Sequence, residues 1–408
     1  MPPLSRDSLT GVRKQPSDIR STPFRLRYTK SQTVGAHSNG PIRFTLPRRN
    51  AAFLDASSLV WRGKLNVTTT DGNARLAGHD VVILINRCRV LSSNKVIYDC
   101  DNNALISNFT NALVSVSDIE YKNYERSLSD YPQDETRQSQ VDTAHTMDRL
   151  IIGKLGPKNS FVNGNHLIPL GNLSSPLHIE IYWAAPQSCF ISNDPSLTYS
   201  ISDLELNWSS VYSASFDNLY RSESITIHCQ DYGHRYNYIT TGTTTSNILI
   251  PSSSSNVSSI LTWIRNQQEN TGYDITKEKY EYVSIPATDI AEVDFRISTK
   301  SIYEEPTTSP HDWYNELHHA FPSISTSRYF TGDGYKGNQN VLAISLSGAP
   351  RQFSHALLSG IQTSILNTDM VLQIMFNGPT TEQLQLDSYV ISDVIYRFSP
   401  DGRIDVQL

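Results

Sequence analysis

Tyr199-Ser-Ile-Ser-Asp-Leu-Glu-Leu-Asn-Trp208 and Tyr389-Val-Ile-Ser-Asp-Val-Ile-Tyr-Arg-Phe398 follow one pattern: Tyr-x-Ile-Ser-Asp, then alternating large residues ending on an aromatic ring. In the first copy the large residues stand at 199 and 201, then at 204, 206 and 208. In the second they stand at 389 and 391, then at 394, 396 and 398. Strand side chains alternate faces with period two, so each copy slips by one residue at its Ser-Asp pair. A β-bulge supplies such an extra residue. The pattern predicts a bulge or bend at Ser202-Asp203 and at Ser392-Asp393, with each Asp accepting backbone N–H groups freed there.

Outward from these copies the chain repeats itself, and a repeat of this size decides the architecture. Leu177, Ile179, Ile181 and Trp183 alternate with polar neighbours ahead of the first copy, and Met370 to Phe376 fills the same slot ahead of the second. Nearer the start of each half, Phe44-Thr-Leu-Pro47 precedes Ser58-Leu-Val-Trp61, and Ile248-Leu-Ile-Pro251 precedes Ser259-Ile-Leu-Thr-Trp263. The first half reads as strands near 41–47, 58–69, 80–91, 94–99, 166–170, 177–183 and 197–210, with a turn at Asp71-Gly72. The second reads as strands near 224–230, 236–250, 258–265, 281–285, 293–299, 341–346, 370–376 and 385–398. Leu105, Phe109, Leu113 and Val116 recur at helical spacing inside an insertion from about 103 to 155, whose remainder from Asp118 to Arg149 reads as a loop with short helical turns. Ser309 is placed to cap a helix with Pro310 in its first turn, and Trp313, Leu317 and Phe321 share one face. Pro400-Asp401-Gly402 turns a last hairpin. Seven or eight short strands per half fit an eight-stranded sandwich. The expected fold is all-β, two tandem jelly-rolls with short helices in the inter-strand loops: 1–35 an extended basic arm, 36–210 the first jelly-roll, 211–408 the second.

The 408 residues suffice for two or three domains, and the charged share of 18% lies below the roughly 25% of ordinary globular chains. Ser, Thr and Asn fill the difference, and they favour turns and exposed strand faces. A net charge of −6 argues against nucleic-acid binding by the chain as a whole. The first thirty residues are the exception: Arg6, Arg13, Lys14, Arg20, Arg25, Arg27 and Lys30 face only Asp7 and Asp18. Such an arm either contacts nucleic acid or an anionic membrane, or tucks under a neighbouring subunit. Cys88, Cys100, Cys189 and Cys229 form no Cys-x-x-Cys and read as buried thiols of a reducing compartment. The opening Met-Pro-Pro-Leu-Ser-Arg-Asp has no apolar signal region, and the expected location is cytosolic or nuclear.

No nucleophile elbow, phosphate-binding loop or His-Glu-x-x-His occurs, and the reading is of no enzyme, no cofactor and no metal site. His311, His318, His319 and Glu316 share a helix, but adjacent histidines point about 100° apart and do not converge on one ion. Asp71 and Asn73 are better read as a turn than as calcium ligands.

The strand run from Leu177 through Tyr199–Leu206, Ser224–His228, Tyr236–Tyr238 and Asn247–Pro251 to Ser258–Leu261, with Ile42–Pro47, Ala52–Asp55 and Ser57-Ser58 ahead of it, resembles the double jelly-roll major capsid proteins of small eukaryotic DNA viruses, of the adintovirus, polinton-like virus and virophage kind. The resemblance implies a homotrimer whose six barrels give a pseudo-hexameric capsomer tiling an icosahedral virion. Neighbouring capsomers and minor or penton capsid proteins would be its further partners. It would turn the basic residues Arg13, Lys14, Arg20, Arg25, Arg27 and Lys30 inward, toward genome or an internal membrane. Two other classes stay open on the same architecture: a lectin-like carbohydrate binder stacking sugars on Trp208, Tyr212 or Trp313, and a glycosidase.

Overall fold

The computed structural model describes residues 20–27, 32–34, 40–49, 52–70, 75–76, 81–114, 146–171, 173–192, 194–254, 256–266, 285–298, 300–321, 335–336, 340–346, 360, 363 and 369–407. Among the described residues, thirteen strands precede residue 213: β1 (Arg20–Arg27), β2 (Gln32–Val34), β3 (Ile42–Thr45), β4 (Ala52–Asp55), β5 (Val60–Thr68), β6 (Arg75–Leu76), β7 (Ile85–Ser92), β8 (Lys95–Cys100), β9 (Thr146–Gly153), β10 (Leu167–Pro169), β11 (Leu177–Trp183), β12 (Phe190–Ile191) and β13 (Thr198–Tyr212). Nine follow it: β14 (Ile225–Ile239), β15 (Thr245–Ile250), β16 (Val257–Asn266), β17 (Ile290–Ile297), β18 (Lys300–Ser301), β19 (Leu342–Ser345), β20 (Met370–Phe376), β21 (Leu384–Phe398) and β22 (Ile404–Gln407). The helices are α1 (Asn103–Val114), α2 (Pro186–Cys189), α3 (Ala214–Ser222) and α4 (Pro310–Ala320).

Among the described residues every sheet draws its strands from one side of α3 only. In the first half β13 is flanked by β1 and β2 on one edge and by β5, then β9, on the other, with β4 and β10 extending the sheet; the facing sheet runs β3-β11-β7-β8. In the second half β14-β21-β16-β19, with β22 beside β21, faces β15-β20-β17-β18. The two orders correspond strand for strand: β1 and β2 to β14, β13 to β21, β5 to β16, β9 to β19, and β3-β11-β7-β8 to β15-β20-β17-β18. Two packed antiparallel sheets of four principal strands in this order make a jelly-roll, and the chain holds two.

Binary patterning explains the sandwich. In β11 Leu177, Ile179, Ile181 and Trp183 are buried, and Trp183 meets Trp61 of β5 at 5.3 Å between ring centroids, so these rings join the two sheets of the first barrel. In β20 Met370, Leu372, Ile374 and Phe376 do the same for the second. Each barrel carries one helix after its eighth-strand equivalent: α1 follows β8 and α4 follows β18. Ser309 caps α4, its hydroxyl accepting from the His311 N–H at 3.2 Å. Trp313 and Leu317 are buried on the helix's inner face. Two glycines hold positive φ in tight turns, Gly242 (84°) between β14 and β15 and Gly402 (83°) between β21 and β22, where a Cβ would strain the backbone.

Several expectations need correction. Part of the basic arm expected over 1–35 belongs to the first barrel: Arg20–Arg27 forms β1, in register with β13 from Arg20↔Tyr212 to Arg27↔Glu205. Phe24 and Leu26 alternate with Arg25 and Arg27, and Phe24 lies 4.5 Å from the Trp208 ring, so the segment has an apolar face to bury. The region up to Arg149, expected as loop, ends in β9, which pairs with β5 from Thr68↔Thr146 to Trp61↔Gly153. A Cβ at Gly153 would fall 2.6 Å from Val81 Cγ2 and 3.1 Å from the Trp61 indole nitrogen, so the position has no room for a side chain. The strands expected at 224–230 and 236–250 are instead one 15-residue strand, β14, and the shorter β15. Residues 81–84 form a 3-10 turn ahead of β7. Asp71-Gly72 and residues 281–284 lie outside the described residues, and Ile285 is not in a strand.

Candidate functional site

The repeated strand shows how one pattern is realised twice. Against β5, the pairing of β13 passes from Ser202↔Lys64 to Glu205↔Arg62, which leaves one extra residue on β13. Asp203 holds φ 49°, the left-handed conformation that lets a bulge fit. Tyr199, Ile201, Leu204, Leu206 and Trp208 are all buried across the slip. Asp203 itself is exposed, and among the described residues its carboxylate takes no backbone N–H. The second copy differs. β21 pairs with β14 in one unbroken register from Leu384↔Ile239 to Phe398↔Ile225. The extra residue lies on its other neighbour, where Val257↔Ser392 is followed by Ser259↔Ile391, so β16 bulges at Ser258 and β21 at Ser392-Asp393 does not. The Asp393 N–H donates to the Asn256 carbonyl just before β16, at 3.0 Å.

The unbroken strand is possible because β21 is buried on both sides. Its outer face rests on the first barrel, along a seam built from polar and aromatic parts. The Tyr389 hydroxyl donates to the Asn102 carbonyl at 2.8 Å, and the Asn102 amide lies 3.2 Å from His234 Nε2. Asn102 holds φ 46° at the turn between β8 and α1, which aims its carbonyl across the seam. Phe109 of α1 meets Trp263 of β16 edge-on and touches Phe321 at the end of α4. Further along, the Asn159 carbonyl accepts the Gln230 N–H at 2.8 Å, closing the free edge of β14, and the Tyr232 hydroxyl donates to the Lys158 carbonyl at 2.7 Å. Phe161 packs on Tyr396 at 4.7 Å, and the Ser174 N–H donates to the Gly402 carbonyl at 2.9 Å.

Two carboxylates lie in this seam. Asp387 is fully buried; His234 Nε2 lies 2.8 Å from one of its oxygens, and Arg265 donates to the other from Nε at 3.0 Å and from its terminal nitrogen. Burial alone would raise its pKa, but the charges and hydrogen bonds of Arg265 and His234 hold it well below the usual carboxylate range. Asp231 is half-buried as a residue, yet its Oδ1 is sealed from solvent without a hydrogen-bond partner. Burial pushes its pKa up to about 6, the Tyr232 N–H opposing and Asp99 of the first barrel adding to the shift. The same seam holds a thiol beside an imidazole, Cys229 Sγ 3.8 Å from the His166 ring. Burial raises the thiol and lowers His166 to about 4, so both are neutral near pH 7 and form no thiolate–imidazolium pair. All four cysteines are buried, and none forms a disulfide.

Of the basic residues singled out in the sequence, Arg20, Arg25 and Arg27 stand on β1 with exposed side chains; Arg13, Lys14 and Lys30 lie outside the described residues. Arg27 Nε and Arg62 Nε reach the two oxygens of Glu205 at 2.7 and 2.6 Å. The rings weighed for sugar stacking are largely taken: Trp208 and Trp313 are each 3% exposed, Trp208 lying under Phe24. His319 lies 3.6 Å from Glu316, and among the described residues no group of three or more His, Cys, Asp or Glu side chains is placed to hold a metal ion. The sequence offered no signal for Asn102, Asp231 or Asp387, whose importance comes from the contact between halves.

Two jelly-rolls in tandem, fixed side by side by a buried seam, define a double jelly-roll chain. The chain has the fold of the double jelly-roll major capsid proteins of viruses. It is similar to VP54 of PBCV-1, as fitted into a reconstruction of the virophage Sputnik, at 11% identity and a TM-score of 0.62, covering 95% of this chain and 97% of that one. It is similar to the Faustovirus major capsid protein at 9% identity and a TM-score of 0.60, covering 92% and 91%. It is similar to the mavirus major capsid protein at 11% identity and a TM-score of 0.52, covering 93% and 90%. No family model and no curated protein sequence matches the chain.

Proposed function

We propose that this chain is a major capsid protein: three copies join into a capsomer of six barrels with a pseudo-hexagonal outline, and capsomers tile an icosahedral virion shell. The observation that carries the reading is the pair of like-ordered barrels locked together by the seam around Asn102, Phe109, Trp263 and Tyr389. A tile of six like barrels from three chains needs each chain to present its two barrels at a fixed angle. A buried interface with hydrogen-bonded polar groups supplies that rigidity. The similarity in fold to capsid proteins of several DNA viruses, over nine-tenths or more of the chain, supports the same reading.

The partners proposed are first its own copies, then neighbouring capsomers and penton or minor capsid proteins. Arg13 and Lys14, ahead of β1, are proposed to reach inward toward genome or an internal membrane, where their positive charge would favour phosphate. A carbohydrate-binding role finds less support, because Trp208 and Trp313 are committed to the core. Light scattering on the purified full chain tests the proposal. A mass of three chains at micromolar concentration is expected, and a mass of one chain that persists at the highest soluble concentration contradicts it.

A further inference from the structure

Cys88 of β7 and Cys100 of β8 stand directly opposite each other in an antiparallel hairpin, in a register that runs on through Arg89↔Asp99 and Val90↔Tyr98. Directly opposed residues send their side chains to the same face of the sheet. Here that face is the inner one: both thiols are buried, as are Val90 and Tyr98, while Arg87, Arg89 and Asp99 pair on the outer face. Two of the chain's four cysteines thus meet in one cross-strand pair. The other two are placed differently: Cys229 of β14 stands opposite Val394, and Cys189 closes the short α2. We propose that Cys88 and Cys100 form an oxidation site, two thiols in a reducing compartment and one cross-strand disulfide when the chain folds in an oxidising one. The site belongs to the first barrel and does not rest on what the chain assembles into.

The backbone spacing suits the bond. Directly opposed residues of an antiparallel pair hold their Cα atoms about 4.5–5.5 Å apart, inside the roughly 4.4–6.8 Å that a disulfide spans. Their Cβ atoms, about 4.5–5.5 Å apart, have to close to about 3.5–4.5 Å. The hairpin can take up that lean where its register already shifts, between Val90 and Leu91.

Burial raises both thiols well above the ordinary cysteine range, so in the closed hairpin they stay protonated and react slowly. The bond therefore forms as the strands come together, while the sulfurs still meet solvent. The oxidant is a low-molecular-weight disulfide. One cysteine thiolate attacks it and expels half of it as a thiolate, leaving a mixed disulfide. The second cysteine thiolate attacks the protein sulfur of that mixed disulfide and expels the other half. The two cysteines lose two electrons and two protons in all, and the small disulfide gains them as two thiols. The bond ties the end of β8 to β7 just ahead of Asn102, whose carbonyl accepts the Tyr389 hydroxyl across the seam. Oxidation then stiffens the strand that carries the first barrel's contact with the second.

The full wild-type chain, produced once in cells with an oxidising cytosol and once in reducing ones, tests this without needing a variant to fold. Each sample is unfolded in the presence of a thiol-alkylating reagent, weighed, and digested to locate any link. From oxidising cells two of the four thiols are expected to escape alkylation, with Cys88 and Cys100 joined in one fragment; from reducing cells all four should be alkylated. The oxidised chain should melt on the order of 5 °C higher, and dithiothreitol should remove the difference. Four alkylated thiols in soluble protein from oxidising cells, a link that joins Cys189 or Cys229 instead, or an oxidising cytosol that yields only aggregated chain overturns the inference. A Cys88–Cys100 link with an unchanged or lower melting temperature overturns the stiffening of β8.

Discussion

Phe109 of the first barrel meets Trp263 of the second with ring centroids 5.0 Å apart and planes at 89°. The edge-to-face geometry places the positive ring edge on the negative ring face, and it is extended by Tyr389 against Trp263 at 5.6 Å and Phe321 against Phe109 at 5.8 Å. These rings join what would otherwise be two small sandwiches into one packed unit.

Removing one ring from that contact should loosen the pair of barrels. Phe109→Ala is expected to destabilise the chain by about 3–5 kcal/mol, the range for a large buried aromatic replaced by alanine. Denaturant unfolding followed by tryptophan fluorescence checks it. A single transition is expected in wild type. A variant with unchanged midpoint would mean the barrels do not depend on this contact.

Asp387 should make the protein sensitive to acid. Its folded pKa is depressed, so its contribution to stability is present above the unfolded value and is lost as pH falls toward and below that value. Asp387→Asn should cost about 3–5 kcal/mol at pH 7, because it takes from the buried Arg265 its charged partner. The loss should shrink below about pH 4, where the wild-type carboxylate also starts to lose its advantage over the unfolded chain. Melting temperatures of the two proteins across that pH range provide the measurement.

Asp231 should act in the opposite sense. Its folded pKa is raised to about 6, so the folded chain holds its proton more tightly than the unfolded chain does. Stability then falls as pH rises between about 4 and 6, and the full cost is present above that window. Asp231→Asn is expected to stabilise the protein at pH 7 by up to about 2–3 kcal/mol and to be nearly neutral near pH 4. A variant less stable than wild type at pH 7 would show that the charged carboxylate has a partner in the seam.

The slip in β13 depends on one backbone conformation. Asp203→Gly should be neutral or stabilising by up to about 1 kcal/mol, since glycine adopts a φ of 49° freely, while Asp203→Val should cost about 1–2 kcal/mol. Thermal unfolding of the pair of variants separates backbone strain from loss of the exposed carboxylate, which both share.

Period-two alternation made much of this fold legible in the residues. β11 and β20 stand at the bounds their hydrophobic pattern marks, 177–183 and 370–376, because each buries one face against its partner sheet. The helix at 310–320 was legible from its cap and its Trp313-Leu317 spacing. β1 is hidden by its arginines: Arg25 and Arg27 read as part of an extended basic arm until Trp208 is seen to need Phe24 above it. The phase change at Ser392-Asp393 points to a bulge only if one face of the strand is buried. β21 has two, and the halves of a chain reveal which surfaces they share only once they are packed. For the same reason Asn102, Asp231 and Asp387 carried no mark in the sequence.

The claim that two like barrels in one chain make a shell tile is tested most directly by imaging the purified full chain by negative-stain electron microscopy at increasing concentration. Three-chain particles with a hexagonal outline, joining into sheets or closed shells, are the predicted result. Discrete single chains that never array, at concentrations where the fold is intact, would contradict it.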